Sequence, residues 1–205
     1  MSNESGHTEK LGIDDCTVPE TSVSVYEALY RRRMAWDFRN QPVPRDALDR
    51  MLATAVWAPN HRLTEPWRFF IIEKGSAASE KVAGLAYDFA LQRSGGEQRA
   101  AATRDSLLKT PVLIYAYSTP GRDEEGTKEN YASVCCAAHN MALAGVAEGL
   151  AVTWETGGPT RHPDLAEALG AEADWTLTTM LSVGYPAENP RSERTPVANF
   201  VRWLD

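Results

Sequence analysis

Residues 130–148 are small and apolar on nearly every side of a helix, with Val134, Cys135, Ala137, Ala138, Met141, Leu143, Ala144 and Val146 spread around its axis. A helix of that composition is expected to be buried on most of its faces. The rest of the chain therefore has to assemble around it. His139 and Asn140 interrupt the apolar surface and are expected to be buried polar groups that satisfy backbone or subunit contacts rather than do chemistry. Gly149 ends the helix.

The other elements follow from periodicity and punctuation. Val112-Leu113-Ile114-Tyr115-Ala116-Tyr117 is a continuous apolar run of strand length, expected at the centre of a sheet. Residues 68–73, 150–156 and 175–183 read as three further strands. Ser24-Val25-Tyr26-Glu27 is a capping box opening a helix that runs to Arg31-Arg32-Arg33. Pro42-Val43-Pro44 breaks the chain before an amphipathic helix over 45–57. Helices are also predicted over 76–93 and 100–108, on either side of a break at Ser94-Gly95-Gly96, and over 163–169. Helices and strands intermingle without a regular βα repeat, which predicts an α+β fold with a mixed central sheet flanked by helices. Residues 1–20 read as a mobile acidic tail and residues 21–205 as one domain, a length able to bury a real core. The C-terminal stretch carries Pro186, Pro190 and Pro196 and ends in Asn199-Phe200-Val201-Arg202-Trp203. Its aromatic residues have no partner nearby in sequence, so it is expected to add to another subunit.

A formal net charge of −7 argues against nucleic acid or an anionic membrane as the main partner, since both require a dominant basic field. No apolar run of about 18 residues or more is present to span a bilayer. The first residues are polar rather than basic-then-apolar, so no secretory signal is read there. Cys16, Cys135 and Cys136 make no disulfide framework, and adjacent helical cysteines diverge by about 100° around the axis, which disfavours a metal site. Together these predict a cytoplasmic protein without a metal. The histidines, His7, His61, His139 and His162, are isolated, and no nucleotide glycine fingerprint, nucleophile elbow, P-loop or zinc-binding His-Glu-x-x-His occurs. Hydrolase and metalloenzyme readings lose their support.

What remains is a constellation. The stretch from Trp57 to Trp67 joins a helix to a strand, and its prolines Pro59 and Pro66 keep the backbone between them from regular helix. It presents Asn60, His61, Arg62 and Thr64 as side chains able to hydrogen-bond a ligand, the layout of a binding loop held by rigid elements. With Arg31-Arg32-Arg33, with Trp154-Glu155-Thr156-Gly157 and with Arg194 in the tail, it would suit a large planar anionic cofactor. Arg191 and Arg202 are the alternatives to Arg194.

Over about residues 24–203 this order of elements resembles the nitroreductase family of FMN-dependent oxidoreductases, in its short branch with an Ala-Pro-Asp-His type of loop. The resemblance is carried by the arginine run, Phe38 with Pro42-Val43-Pro44, Ala58-Pro59-Asn60-His61, Pro66-Trp67-Arg68-Phe69, Gly149-Leu150-Ala151-Val152-Thr153-Trp154, Gly184-Tyr185-Pro186 and Arg194-Thr195-Pro196. It implies a homodimer with FMN in the cleft between subunits, and NADH or NADPH as co-substrate. A nitroaromatic, quinone or similar conjugated acceptor would be reduced in ping-pong fashion through flavin N5, without a catalytic protein nucleophile. By the same resemblance Arg32 and Arg33 would hold the phosphate or pyrimidine side, and Asn60 and His61 would reach the flavin from the second subunit. Thr156 and Gly157, after Trp154, would meet the ring through backbone groups, and Arg194 would close on the phosphate. Met34 and Trp36 stand where the family usually has serine and a basic residue, leaving Trp36 to border the ring, and Trp57 stands where relatives often have arginine. Three adjacent arginines leave the register of the pair open by one. The alternatives are a flavin-storing protein of the same fold, or flavin chemistry other than nitroreduction, such as dehalogenation or flavin fragmentation.

Overall fold

A computed structural model describes residues 12, 16, 18–93, 96–188 and 190–204. Most of the tail expected over 1–20 lies outside the described residues, as do Ser94 and Gly95 of the expected break. The chain forms α1 (Val25–Arg31), α2 (Arg45–Ala53), β1 (Trp67–Glu73), α3 (Ala77–Gln92), α4 (Gly96–Lys109), β2 (Val112–Ser118), α5 (Glu124–Ala147), β3 (Ala151–Glu155), α6 (Leu165–Leu169) and β4 (Thr176–Gly184). The α+β expectation holds.

The sheet order is β1-β2-β4-β3, and β2 is indeed interior, with all seven of its residues buried. The sheet expected as mixed is instead antiparallel at each of its three pairings. The reason lies in the connections. The α3–α4 pair returns the chain to the end of the sheet it left, so β2 runs back along β1. The single crossover α5 then makes β3 run in the same direction as β2, but β4 enters between them and opposes both. A parallel relation implied by the β2-α5-β3 order exists in direction, and never becomes a hydrogen-bonded ladder.

Alternation along the strands divides the core in two. Val112, Ile114, Val152, Leu181 and Val183 face α2 and α5, meeting Leu48, Met51, Ala138 and Met141. Leu113, Tyr115, Tyr117, Ile72 and Met180 face the other layer, meeting Val82 and Ala86 of α3, Leu107 of α4 and Leu165 of α6. The continuous apolar run of β2 follows from burial on both faces.

The long apolar helix is less enclosed than its composition predicts. α5 packs on the sheet through Val134, Ala137, Ala138 and Met141, while Tyr131, Ala132, Cys136 and His139 leave a stripe exposed, so the expected burial of His139 fails. Asn140 does satisfy backbone, donating from Nδ2 to the Thr54 carbonyl at 3.2 Å. Close approach of α5 to the sheet requires Gly145, where a Cβ would stand 2.7 Å from Val152 Cγ2. At its C-terminal end, Glu148 receives a two-pronged contact from Arg50 of α2, with both N···O distances 2.8 Å.

α4 and α5 begin earlier than expected, at Gly96 and Glu124, and two helices end early for local reasons. α1 ends at Arg31, because the following residues become a strap along the sheet: the buried Thr153 hydroxyl donates to the Ala35 carbonyl at 2.6 Å and accepts from the Ala35 N–H at 2.9 Å. The capping box is half made. Ser24 Oγ accepts from the Glu27 N–H, but the Glu27 carboxylate turns to Arg31 at 2.9 Å. α2 stops at Ala53 and tightens into a 3₁₀ turn over Ala55–Trp57, ahead of Pro59.

Candidate functional site

Holding Ala35 on Thr153 leaves Arg32 and Arg33 outside the helix, beside a cleft of about 540 Å³. Tyr30 and the three arginines form one wall, and Val146 with the turn from Gly149 to Val152 forms the other. Both Arg32 and Arg33 are half-buried. Burial, then the neighbouring Arg33 and Arg194 cations, holds the Arg32 guanidinium below its ordinary value. Arg194, contributed from far along the chain, thus stands with the pair that the sequence proposed for it. Its own guanidinium is steadied by Ser192 Oγ at 2.7 Å and the Glu193 carbonyl at 2.8 Å. Among the described residues no carboxylate is paired with Arg32, Arg33 or Arg194, whereas Arg31 is answered by Glu27. Like charges crowded at a half-buried site without counter-charge are unfavourable alone and become favourable around an anion.

The loop after α2 is built differently from the expectation that its polar side chains are all turned outward. Asn60 Nδ2 donates to Thr64 Oγ1 at 3.0 Å and Ser133 Oγ at 3.2 Å, and Oδ1 accepts from the Glu65 N–H at 2.7 Å. Thr64 Oγ1 donates to Asn130 Oδ1 at 2.7 Å, and Asn130 Nδ2 donates to the Thr119 carbonyl. Asn60 and Thr64 are therefore engaged within the fold, tying the loop to α5. His61 meets Glu129 through Nδ1 at 2.8 Å, which leaves Nε2 directed elsewhere. Arg62, Leu63 and Glu65 have φ of 60°, 50° and 49°. Left-handed backbone in non-glycine residues is costly and persists only where surrounding bonds impose it. Asn60 is the centre of those bonds, so Asn60→Ala should release the loop: we expect a loss of about 1–3 kcal/mol in unfolding free energy, read by chemical denaturation, and rapid amide exchange at residues 62–65. Unchanged exchange in the variant would show that the loop holds its shape without this side chain.

Trp154 is half-buried and packs with the core beside α5, so its place is chiefly structural. Thr156 and Gly157 follow at the exposed end of β3, where Gly157 opens a 3₁₀ turn over Gly158–Thr160. Met34 is partly exposed next to the arginines. Trp36, 66% exposed, lines a separate cleft of about 370 Å³ against the end of α4. Trp57 is half-exposed on the 3₁₀ turn beside α5. One chain thus unites Arg32, Arg33 and Arg194, and keeps Asn60, His61 and Trp57 apart from them along α5.

Two residues gain significance that the sequence did not give them. His139 on α5 is near enough to Arg32 for that cation, after burial, to hold its imidazole below the ordinary value. Glu155, noticed only as part of a four-residue stretch, is largely buried; burial pushes its carboxyl up, against a hydrogen bond from Ser182 Oγ that pulls it down. Its charge also acts on the fully buried Tyr115, whose hydroxyl has no partner among the described residues. The β4 bulge opposite Ala116 and Tyr117 lies beside this group.

A carboxyl with a raised folded-state pKa holds a proton that the unfolded chain has released. Its contribution is present below the unfolded value and is lost as pH rises through the folded one. Glu155→Gln keeps an acceptor for Ser182 and abolishes that loss, so the variant should exceed the parent by about 1 kcal/mol at pH 8 and not at pH 4. Urea melts at both pH values test this, and a difference independent of pH would refute it.

Comparison with known proteins gives a coherent picture. The family model described as "Nitroreductase family" matches residues 29–185. A Bacillus subtilis (strain 168) protein, provisionally named NAD(P)H nitroreductase YfhC, is 25% identical over 168 residues, covering 81% of this chain and 87% of the relative. The 5,6-dimethylbenzimidazole synthase of Rhodospirillum rubrum is 27% identical over 185 residues, covering 82% of this chain and 86% of the relative. Among solved structures, a nitroreductase-like family protein from Bacillus cereus superposes with a TM-score of 0.80 at 26% identity, covering 92% of this chain and 100% of that one.

Proposed function

Because the chain belongs to the nitroreductase family, we propose that it is an FMN-dependent oxidoreductase drawing on NADH or NADPH to reduce a nitroaromatic, quinone or similar conjugated small molecule. The observation that carries this reading is the pair Arg32 and Arg33 lining a cleft without a carboxylate partner among the described residues, with Arg194 within electrostatic reach of Arg32, which fits the phosphate end of FMN. Bound FMN would supply two-electron hydride chemistry at N5, accepting from the nicotinamide and then donating to the acceptor in ping-pong order.

The chain's own residues bind and orient. Arg32 and Arg33 grip the phosphate side, and Arg194 closes over it from the tail. Thr156 and Gly157 present backbone groups toward the ring, with Trp154 packed behind them. His61, on the loop that Asn60 shapes, reaches the flavin from the second subunit, and Trp57 borders the same edge. Met34 follows the arginine pair and limits access to the ring, whereas Trp36 lines the separate cleft against α4 instead of bordering it.

The functional unit in this reading is a cytoplasmic homodimer of single-domain subunits over residues 21–205. Support for it comes from the exposed stripe of α5, from Tyr26 and Tyr30 on α1, and from Phe200, Trp203 and Leu204 in the C-terminal segment, which stand open to solvent in one chain. Trp203 is 89% exposed, more than an isolated subunit readily tolerates in an aromatic cluster, and the segment is proposed to wrap onto the partner. Among the described residues no helix is long and apolar enough to cross a membrane.

The visible spectrum of the purified protein, recorded anaerobically before and after NADH and NADPH, tests the proposal. Flavin absorption that bleaches with either nicotinamide is expected. Protein that takes up no flavin after supplementation would sink the reading. Tight FMN that neither nicotinamide bleaches would favour a flavin-storing protein, the reading that Met34 and Trp36 motivate. The similarity to a synthase keeps non-nitro flavin chemistry as the second enzymatic reading, which product analysis separates.

A further inference from the structure

We infer that Glu129 is the positioning residue of His61, and that it fixes this imidazole with the proton on Nδ1, so that Nε2 offers its lone pair to the imide N3–H of a bound flavin. The inference deepens the reading of the chain as an FMN-binding dimer and rests on it. His61 Nδ1 stands 2.8 Å from Glu129 Oε2. An ionised carboxylate, the ordinary state of the group at neutral pH, has acceptors and no donor, so the bonded Nδ1 must carry a hydrogen. In the neutral ring one nitrogen donates and the other accepts, which leaves Nε2 as the acceptor.

The helix that supplies this carboxylate also holds the loop that carries the imidazole. Asn130 and Ser133, one and four positions beyond Glu129, accept from the side chains of Thr64 and Asn60 at 2.7 and 3.2 Å. Backbone and ring are therefore fixed by a single stretch of α5. The left-handed residues Arg62, Leu63 and Glu65 come just after the histidine, so the course of the chain there is imposed and not relaxed. An exposed pair of this kind adds little to stability, and its use lies in orientation. Arg62, Arg122 and Asp123 line a small cleft of about 110 Å³ together with Glu129, in which His61 has no part. The oxidised isoalloxazine ring carries acceptors at N1, N5 and both carbonyl oxygens, and one donor, N3–H. An accepting Nε2 matches only that donor, which sets the pyrimidine edge of the ring at this loop. Glu129 thus acts through His61 on which flavin is accepted, and touches no reacting atom.

Nitrogen-15 NMR of flavin-free protein at pH 8 reads the tautomer directly, with the His61 resonances identified by their loss in His61→Gln. The parent should show the Nδ1–H form. Glu129→Lys, whose ammonium only donates, should show the Nε2–H form. FMN methylated at N3 is the binding probe, because it lacks the one ring donor. The parent should bind FMN about tenfold or more tightly than the methylated flavin, and that ratio should fall about fivefold or more in Glu129→Lys and in Glu129→Leu. Circular dichroism confirms that the variants fold. An Nε2–H tautomer in the parent, equal binding of the two flavins, or a ratio unchanged in both variants would overturn the inference while leaving FMN binding intact. Failure of the parent to bind either flavin would overturn the FMN reading itself, and this inference with it.

Discussion

Replacing Arg32 and Arg33 together by alanine will weaken FMN binding by roughly 100-fold or more, because each charge-assisted hydrogen bond to a phosphate contributes about 1.5–3 kcal/mol. The same double variant should be no less stable than its parent when flavin is absent. The two guanidiniums are half-buried beside each other and Arg194, with no carboxylate partner among the described residues, so their removal relieves repulsion rather than breaking a pair. Calorimetric titration with FMN and denaturant melts of the flavin-free protein measure the two effects separately. Retention of full flavin affinity would mean that the phosphate is held elsewhere. A collapse of the flavin-free protein would mean that the arginines are structural.

Gly184→Ala is the second large effect, and it acts on the fold first. A Cβ at this last residue of β4 would stand 2.8 Å from Phe38 Cδ1 and 2.8 Å from Pro111 Cγ, both parts of rings that cannot swing aside. Phe38 is bridged to Pro186, the Arg39 N–H donates to the Tyr185 carbonyl at 2.8 Å, and the Ala187 N–H donates to the Asp37 carbonyl at 3.0 Å. The substitution therefore pushes the strap off the sheet, at a cost of about 1–3 kcal/mol in unfolding free energy. Because that strap continues back through Ala35 to Arg33 and Arg32, FMN affinity should fall as well, although no residue near the phosphate has changed. A variant with parental stability and parental affinity would show that the strap yields without consequence.

The sequence made the kinds of element legible because each carried its own period: the two-faced run of β2, the stripe of α2 and the small residues of α5. Strand direction was not legible, since nothing local in residues 176–184 says that they enter between β2 and β3. The arginine cluster could be proposed from motif order, but Arg194 joins it through a tail fold that spacing does not encode. Asn60 was read as facing a ligand, because its partner Ser133 lies 73 positions away and, like Asn130, which pairs with Thr64, acts only once α5 is laid beside the loop. His139 looked like a buried interruption in an apolar helix, and only the packing of α5 leaves it exposed.

The insertion of β4 between its predecessors also sets an order of events during biosynthesis. β1 and β2 can pair soon after residue 118 emerges, with α3 and α4 already beside them. β3, however, pairs only with β4, so it waits unpartnered while residues 156–184 are translated, a delay on the order of seconds. Until residue 184 leaves the ribosome, two strands of the same sheet present open edges that another nascent copy could capture. Slow translation through 156–184 should therefore lower the yield of soluble protein, and a chain ending before residue 176 should be a substrate for chaperones rather than a smaller version of the fold.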